Sequence, residues 1–199
     1  MSTAMGNARG RARLAFAAVM LLGTGLACKG HTTGPAPSAS ADQRPAPPSG
    51  FRRIEVEGWS LDLPTDFQPV PRSPDSMNLT WLVYEQNDQA KGSPRVMFAR
   101  HTKPADYPSR VFGLTALNGL NRARDKRVLA SRQHLASGLE VTDIEVLIHR
   151  SRDKRVQWRR LFVHSHVAYT LIYSVAETEA QRHRHNAETV LQSLHRTQQ

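Results

Sequence analysis

Residues 139–175 read LEVTDIEVLIHRSRDKRVQWRRLFVHSHVAYTLIYSV, and their alternation decides what kind of fold the chain makes. In Leu139–His149 the residues Thr142, Ile144, Val146 and Ile148 recur at every second position and share one face of a strand. Val141, Asp143 and Glu145 take the other face. Ser151-Arg152-Asp153-Lys154 turns the chain, and Arg155–Val163 and Val167–Val175 form a hairpin around His164-Ser165-His166. Immediately upstream, Val128–Leu135 reads as a strand closed by the turn Ala136-Ser137-Gly138. Four strands joined by such short turns make an antiparallel meander.

On either side of the meander the period changes. Tyr107, Val111, Leu114, Leu117 and Leu120 recur at three- and four-residue steps, which predicts a helix over Asp106–Arg124 with those residues facing inward. Gly113 and Gly119 lower its intrinsic helicity, so packing has to hold it. A second helix is expected from Thr178 to His195, with Ala180, Ala187, Val190, Leu191 and Leu194 facing in. Toward the N-terminus, Ile54 and Val56, the turn Glu57-Gly58, then Trp59, Leu61 and Leu63 form a small hairpin. Strands follow around Thr80–Glu85 and Arg95–Arg100, separated by loops carrying Pro69, Pro71, Pro74, Gly92 and Pro94. The fold class is α+β, an antiparallel sheet of about six to seven strands packed with two main helices.

This order resembles the PsbP-like family, which includes many bacterial lipoproteins of the DcrB-like and LpqN-like groups. The resemblance rests on Gly58-Trp59-Ser-Leu-Asp-Leu-Pro64 followed by Phe67, and on a helix after the third or fourth strand. It rests further on Ala168-Tyr-Thr-Leu-Ile-Tyr-Ser174, then a helix ending Val190-Leu-Gln-Ser-Leu194. It covers residues 51–196 and implies an α/β/α sandwich acting as a non-catalytic binding or assembly factor. It carries no catalytic motif onto this chain.

The N-terminus has the anatomy of a secretory signal. Arg9, Arg11 and Arg13 form a positive region, Leu14–Leu22 an apolar one, and Gly23–Ala27 a run of mostly small residues. The apolar run is shorter than the roughly 20 residues a membrane-spanning helix needs. The chain has one cysteine, Cys28, directly after this segment. Gly25-Leu26-Ala27-Cys28 resembles a lipobox, in which cleavage precedes a diacylated cysteine, although Gly25 stands where leucine is commonest. The alternative is ordinary cleavage after Ala27, which leaves a free thiol. Lys29 is not the Asp that marks inner-membrane retention, so the expected place is the periplasmic face of the outer membrane. Residues 30–50 are rich in Pro, Ala, Ser and Gly with no aromatic or branched aliphatic side chain, and they read as an unfolded tether. The domains are therefore 1–27 signal peptide, 28–50 lipidated cysteine and tether, and 51–197 folded domain.

A lone cysteine excludes internal disulfides and cysteine-built zinc sites. Of the 27 Lys and Arg, three belong to the signal, which leaves 24 cations against 17 acids from Cys28 onward. Arg150, Arg152, Lys154, Arg155, Arg159 and Arg160 concentrate charge on one hairpin, and Arg122, Arg124, Lys126 and Arg127 follow the first helix. Such a basic surface suits anionic lipid or an acidic envelope component. The secretory signal argues against nucleic acid. Among nine histidines, His164 and His166 are the candidates for a metal, but zinc takes three or four ligands and no third lies near in sequence. His183 and His185 point apart on a helix. There is no Gly-x-Ser-x-Gly elbow, Ser165 reads as a turn serine, and Asp143 and Glu145 as a solvated strand face. No phosphate-cradling or dinucleotide motif is present. The expectation is a membrane-anchored, non-catalytic envelope lipoprotein that binds a protein or envelope component, with no cofactor and no metal. One alternative is a carrier of a small apolar ligand, which requires an enclosed apolar cavity of roughly a few hundred Å³. Another is a hydrolase, which requires His, Ser and acid groups gathered from distant segments.

Overall fold

The computed structural model describes residues 44–70, 79–86, 93–150 and 153–197. The signal segment, Cys28, most of the tether, Pro71, Pro74 and Arg152 lie outside these residues. In chain order the elements are β1 (Phe51–Val56), β2 (Trp59–Pro64), β3 (Phe67–Val70), β4 (Leu79–Gln86), β5 (Arg95–Pro104) and α1 (Ser109–Arg122). Then come β6 (Lys126–Ala136), β7 (Leu139–Arg150), β8 (Asp153–His164), β9 (Val167–Ala176), a 3-10 turn (Glu177–Glu179), α2 (Ala180–Gln192) and β10 (His195–Arg196).

Seven strands form one sheet in the order β3-β4-β5-β9-β8-β7-β6, every neighbour antiparallel. The first hairpin does not join it. It makes a three-stranded sheet, β1-β2-β10, whose third member is the residue pair after α2. A two-residue strand has no periodicity, so β10 is invisible in the sequence. β3 also departs from the loop expected around Pro69. It lies at the sheet edge, where a missing N–H costs no ladder bond. The turns of the meander close tightly: Ser137-Gly138 and Ser165-His166 each form a two-residue loop with both φ angles positive, matched to strand twist.

The strand faces follow the alternation. Ile144, Val146 and Ile148 of β7, with Leu161 of β8, face α1 and bury Leu120, with Phe112, Ala116, Leu117 and Val128 packed around them. The opposite face carries Trp158 and Phe162 of β8 and Tyr169, Leu171, Tyr173 and Val175 of β9. These meet Trp59, Leu61 and Leu63 of β2 and Ala187, Val190 and Leu191 of α2. Trp59 stands edge-on to Phe162 at 4.9 Å and to Tyr169 at 5.5 Å, and Phe162 stacks on Tyr169 at 5.1 Å. Each such aromatic stabilises the domain by about 1.5–3 kcal/mol through burial alone.

The inward face of α1 differs from the expected one. Val111 and Leu114 are 41% and 45% exposed, and Tyr107, just ahead of the helix, 40%, while Ser109, Gly113 and Leu120 are buried. The phase is set by Gly113. A Cβ there would lie 1.9 Å from the Thr142 hydroxyl oxygen, so the helix backbone rests directly on β7. Close approach at a glycine outweighs the apolar stripe in deciding which side of the helix turns in.

Candidate functional site

On the face opposite α1, the strands β6–β8 and helix α2 enclose an open cleft of about 290 Å³. Its lining includes Arg132, Asp143, Glu145, Trp158, Arg184 and Glu188. Asp143 and Glu145 are on this side because they alternate with the α1-facing residues of β7. Arg160 reaches from β8 into the same place and is 3% exposed, against 31% for its partner Asp143. Arg160 Nε and Nη2 donate to the two Asp143 oxygens at 2.8 and 2.7 Å, a forked pair. Its Nη1 donates to the Leu191 carbonyl, satisfying an acceptor in the last turn of α2. Arg184 of α2 likewise forks onto Glu145 at 2.7 and 3.2 Å, and its guanidinium lies 5.7 Å over the Trp158 ring. His134 Nε2 is 3.5 Å from Asp143. Both strand carboxylates are thus bound to arginines, and they act as clasps between sheet and helix. The hollow is open and lined by charge, and the space between the two sheets is filled by the aromatic core. Neither is the enclosed apolar chamber that a small-ligand carrier needs.

The cations of the β7–β8 hairpin do not form one surface. Strand alternation sends Arg155 and Arg159 to the α1 side and Arg160 to the cleft. Arg155 donates to the Ser174 hydroxyl at 3.0 Å and to the Ser93 carbonyl at 2.9 Å. Arg159 forks onto Gln157 at 3.0 and 2.6 Å. Lys154 sits 3.7 Å from Glu177. Arg150 ends β7, and Arg152 is outside the described residues. Arg160 is an internal tie, which its neighbours in sequence give no reason to expect.

His164 and His166 also part company. The His164 ring lies edge-on to Trp59 at 5.4 Å at the end of β8, while His166 is exposed in the turn, 3.2 Å from Asp106. Among the described residues, no three His, Cys, Asp or Glu side chains gather to hold a metal ion. Ser165 is in the turn between the two histidines. His183 is buried on α2 with its Nδ1 2.9 Å from the Tyr173 hydroxyl, and His185 is exposed.

These histidines carry a pH dependence. Burial pushes His101, His164 and His183 below the ordinary histidine value of 6.5, aided at His183 by Arg182 and at His164 by Arg196. Below that value the unfolded chain binds protons that the folded one refuses, so stability must fall with acidification. Urea midpoints should hold steady above neutrality and decline as pH drops below about 6.5. His183→Gln should shallow that decline; an unchanged slope would remove His183 from it.

A second feature lies at the end of the domain holding the β6–β7 and β8–β9 turns. Leu135, next to the Ser137-Gly138 turn, is 75% exposed. Gln133 Nε2 donates to the Arg110 carbonyl at 3.4 Å, setting this part of β6 beside the start of α1. Leu135 is two residues further on the same strand face, toward the exposed Tyr107, Val111 and Leu114. The exposure of these residues was not legible in the sequence, because Tyr107, Val111 and Leu114 sit at core-like helical spacing.

No family model matches the chain, and no curated protein does. Several solved structures share its fold. Cyanobacterial PsbP (CyanoP) from Synechocystis sp. PCC 6803 is 15% identical with a TM-score of 0.56, covering 74% of this chain and 92% of that one. LpqN of Mycobacterium tuberculosis, a protein involved in cell envelope biogenesis, is 12% identical with a TM-score of 0.54, covering 73% and 89%. PA94 of Pseudomonas aeruginosa, of unknown function, is 8% identical with a TM-score of 0.51, covering 72% and 94%. The chain therefore has the PsbP-like α+β fold.

Proposed function

We propose that this chain is a lipid-anchored bacterial envelope protein whose domain binds a protein partner and performs no chemistry. The cleft between β6–β8 and α2 is the binding site, and the observation that carries this is how its charges are spent. Asp143 and Glu145 are forked onto Arg160 and Arg184, which leaves a rigid rim with Trp158 and Leu191 as apolar floor. Arg132 and Glu188, on opposite sides, form no ion pair among the described residues and are available to a partner. The fold shared with an envelope-biogenesis protein and the Cys28 lipobox support the same reading.

A photo-crosslinker at position 132, in the full chain in cells, should give a discrete protein adduct that one at position 155 does not. Absence of a discrete adduct would overturn the binding reading. So would turnover of a substrate by the purified protein that Glu188→Ala abolishes. The anchor has its own test. Protein taken from membranes should begin at Cys28 with a diacylglyceryl mass increment, and Cys28→Ser should lose it. An unmodified, soluble product would overturn the anchor.

A further inference from the structure

We infer that the end of the domain carrying Tyr107 and Leu135 seats on anionic phospholipid; this rests on the lipid-anchored reading and adds an orientation to it. The first observation is where the described chain begins. Phe51 N donates to the Pro48 carbonyl at 3.0 Å and Thr65 N to the Gly50 carbonyl at 2.9 Å, a reversal just before β1. Residues 44–50 therefore run back along the β1–β2 hairpin. Arg53 donates to the Pro45 carbonyl at 2.9 Å, and Arg44 donates to the Ser60 hydroxyl. Ser60 adjoins Trp59, whose ring meets His164 at the mouth of the β8–β9 turn. Ala105 N donates to the His166 carbonyl at 2.7 Å, tying the approach to α1 into the same end. The first described residue, Arg44, is thus held beside Ser60 of β2, next to Trp59 at the end where Tyr107 and Leu135 are exposed. Fifteen residues separate Cys28 from Arg44, so the connection spans at most about 55 Å.

The second observation is the chemistry of that end. Leu135, Val111 and Leu114 are apolar groups standing at a strand end and on a helix face, and Tyr107 adds a ring with a polar tip. Apolar groups of this kind enter the boundary between headgroups and acyl chains, where tyrosine is favoured. α1 contains no acidic residue, and Arg110, exposed in its first turn, adjoins Val111 in the chain. Arg44 and Arg196 add charge at the same end. The acids there among the described residues include Glu55, which pairs with Ser60, Glu57, Asp106 and Glu140; Glu57 is 3.5 Å from Arg100, and Asp106 is 3.2 Å from His166. Cations beside exposed apolar groups match a surface of phosphate headgroups over hydrocarbon.

The test uses the full chain with Cys28→Ser, so that no lipid contributes, sedimented with phosphatidylcholine vesicles or an equimolar mixture with phosphatidylglycerol. Preferential binding to the anionic vesicles is expected. Val111→Asp with Leu135→Asp should weaken that binding roughly tenfold or more, and Arg110→Glu should weaken it on anionic vesicles only. Both positions are exposed, so the variants keep the fold, which their melting curves check. Every chain carries the same first 43 residues, so differences between them read the patch. Equal binding of parent and variants, or binding by neither, overturns the inference; so does a dimer that the same substitutions dissolve. A missing mass increment at Cys28 would remove the anchor and leave this vesicle result standing, so the two failures are distinguishable.

Discussion

Gly113→Ala is expected to unseat α1 and destabilise the domain by about 3 kcal/mol. By helix propensity alone the change should help, since alanine is favoured over glycine by about 1 kcal/mol within a helix. Geometry opposes it. The new methyl would lie 1.9 Å from the Thr142 hydroxyl oxygen, 2.5 Å from its Cβ and 2.9 Å from its Cγ2. Thr142 is 2% exposed in the middle of β7, so its side chain has nowhere to retreat. The helix must lift, and lifting it opens the contacts of Phe112, Leu117 and Leu120 with Ile144, Val146 and Leu161. For a domain of this size the loss corresponds to a fall in Tm of about 10 °C. Thr142→Gly should cost stability alone yet recover part of the loss in the double variant, a coupling that only direct contact produces. A melting temperature unchanged or raised by Gly113→Ala would mean that α1 is not seated on β7 in this way.

Asp143→Ala should be nearly as damaging, for an electrostatic reason. It leaves the Arg160 guanidinium buried without its carboxylate, and breaking one side of a buried pair costs about 3–5 kcal/mol. Asp143 itself is partly open to solvent, so the effect belongs toward the lower end of that range. Arg160→Met in the same chain removes the stranded charge, and the double variant should be more stable than Asp143→Ala alone. The Leu191 carbonyl then lacks its donor, which keeps the double variant below the parent. Urea denaturation of the four chains measures this. A cost well under 1 kcal/mol for Asp143→Ala would show that the pair is a surface contact and not the clasp of the cleft.

The meander shows why some of the structure was readable. Thr142, Ile144, Val146 and Ile148 line the α1 face, and Val141, Asp143 and Glu145 the other, as period-two reading expects. Ala187, Val190, Leu191 and Leu194 are buried as the second helix pattern requires. Alternation and helical spacing are local quantities, and a strand or helix needs nothing beyond its neighbours to express them. The same arithmetic placed Leu117 and Leu120 of α1 correctly and Tyr107, Val111 and Leu114 wrongly, because an apolar stripe and a glycine contact specified different rotations of one helix. Packing against β7 decided between them.

The candidate site was less legible still. Arg159 and Arg160 are identical neighbours in sequence, yet one bonds Gln157 on the α1 face and the other is sealed beneath α2. What distinguishes them is Leu191, 31 positions away, and Asp143, 17 away. Leu135 is exposed because nothing covers the tip of β6, a fact about the absence of distant contacts among the described residues. By itself the sequence determined most of the strands, both helices and the α+β class, since these depend on periodicity and short-range spacing. The tertiary structure decided which cations are buried, which face of α1 turns inward and which apolar groups remain outside. Those outcomes depend on which element lies over which, and that is settled only when segments far apart in the chain compete for the same surface.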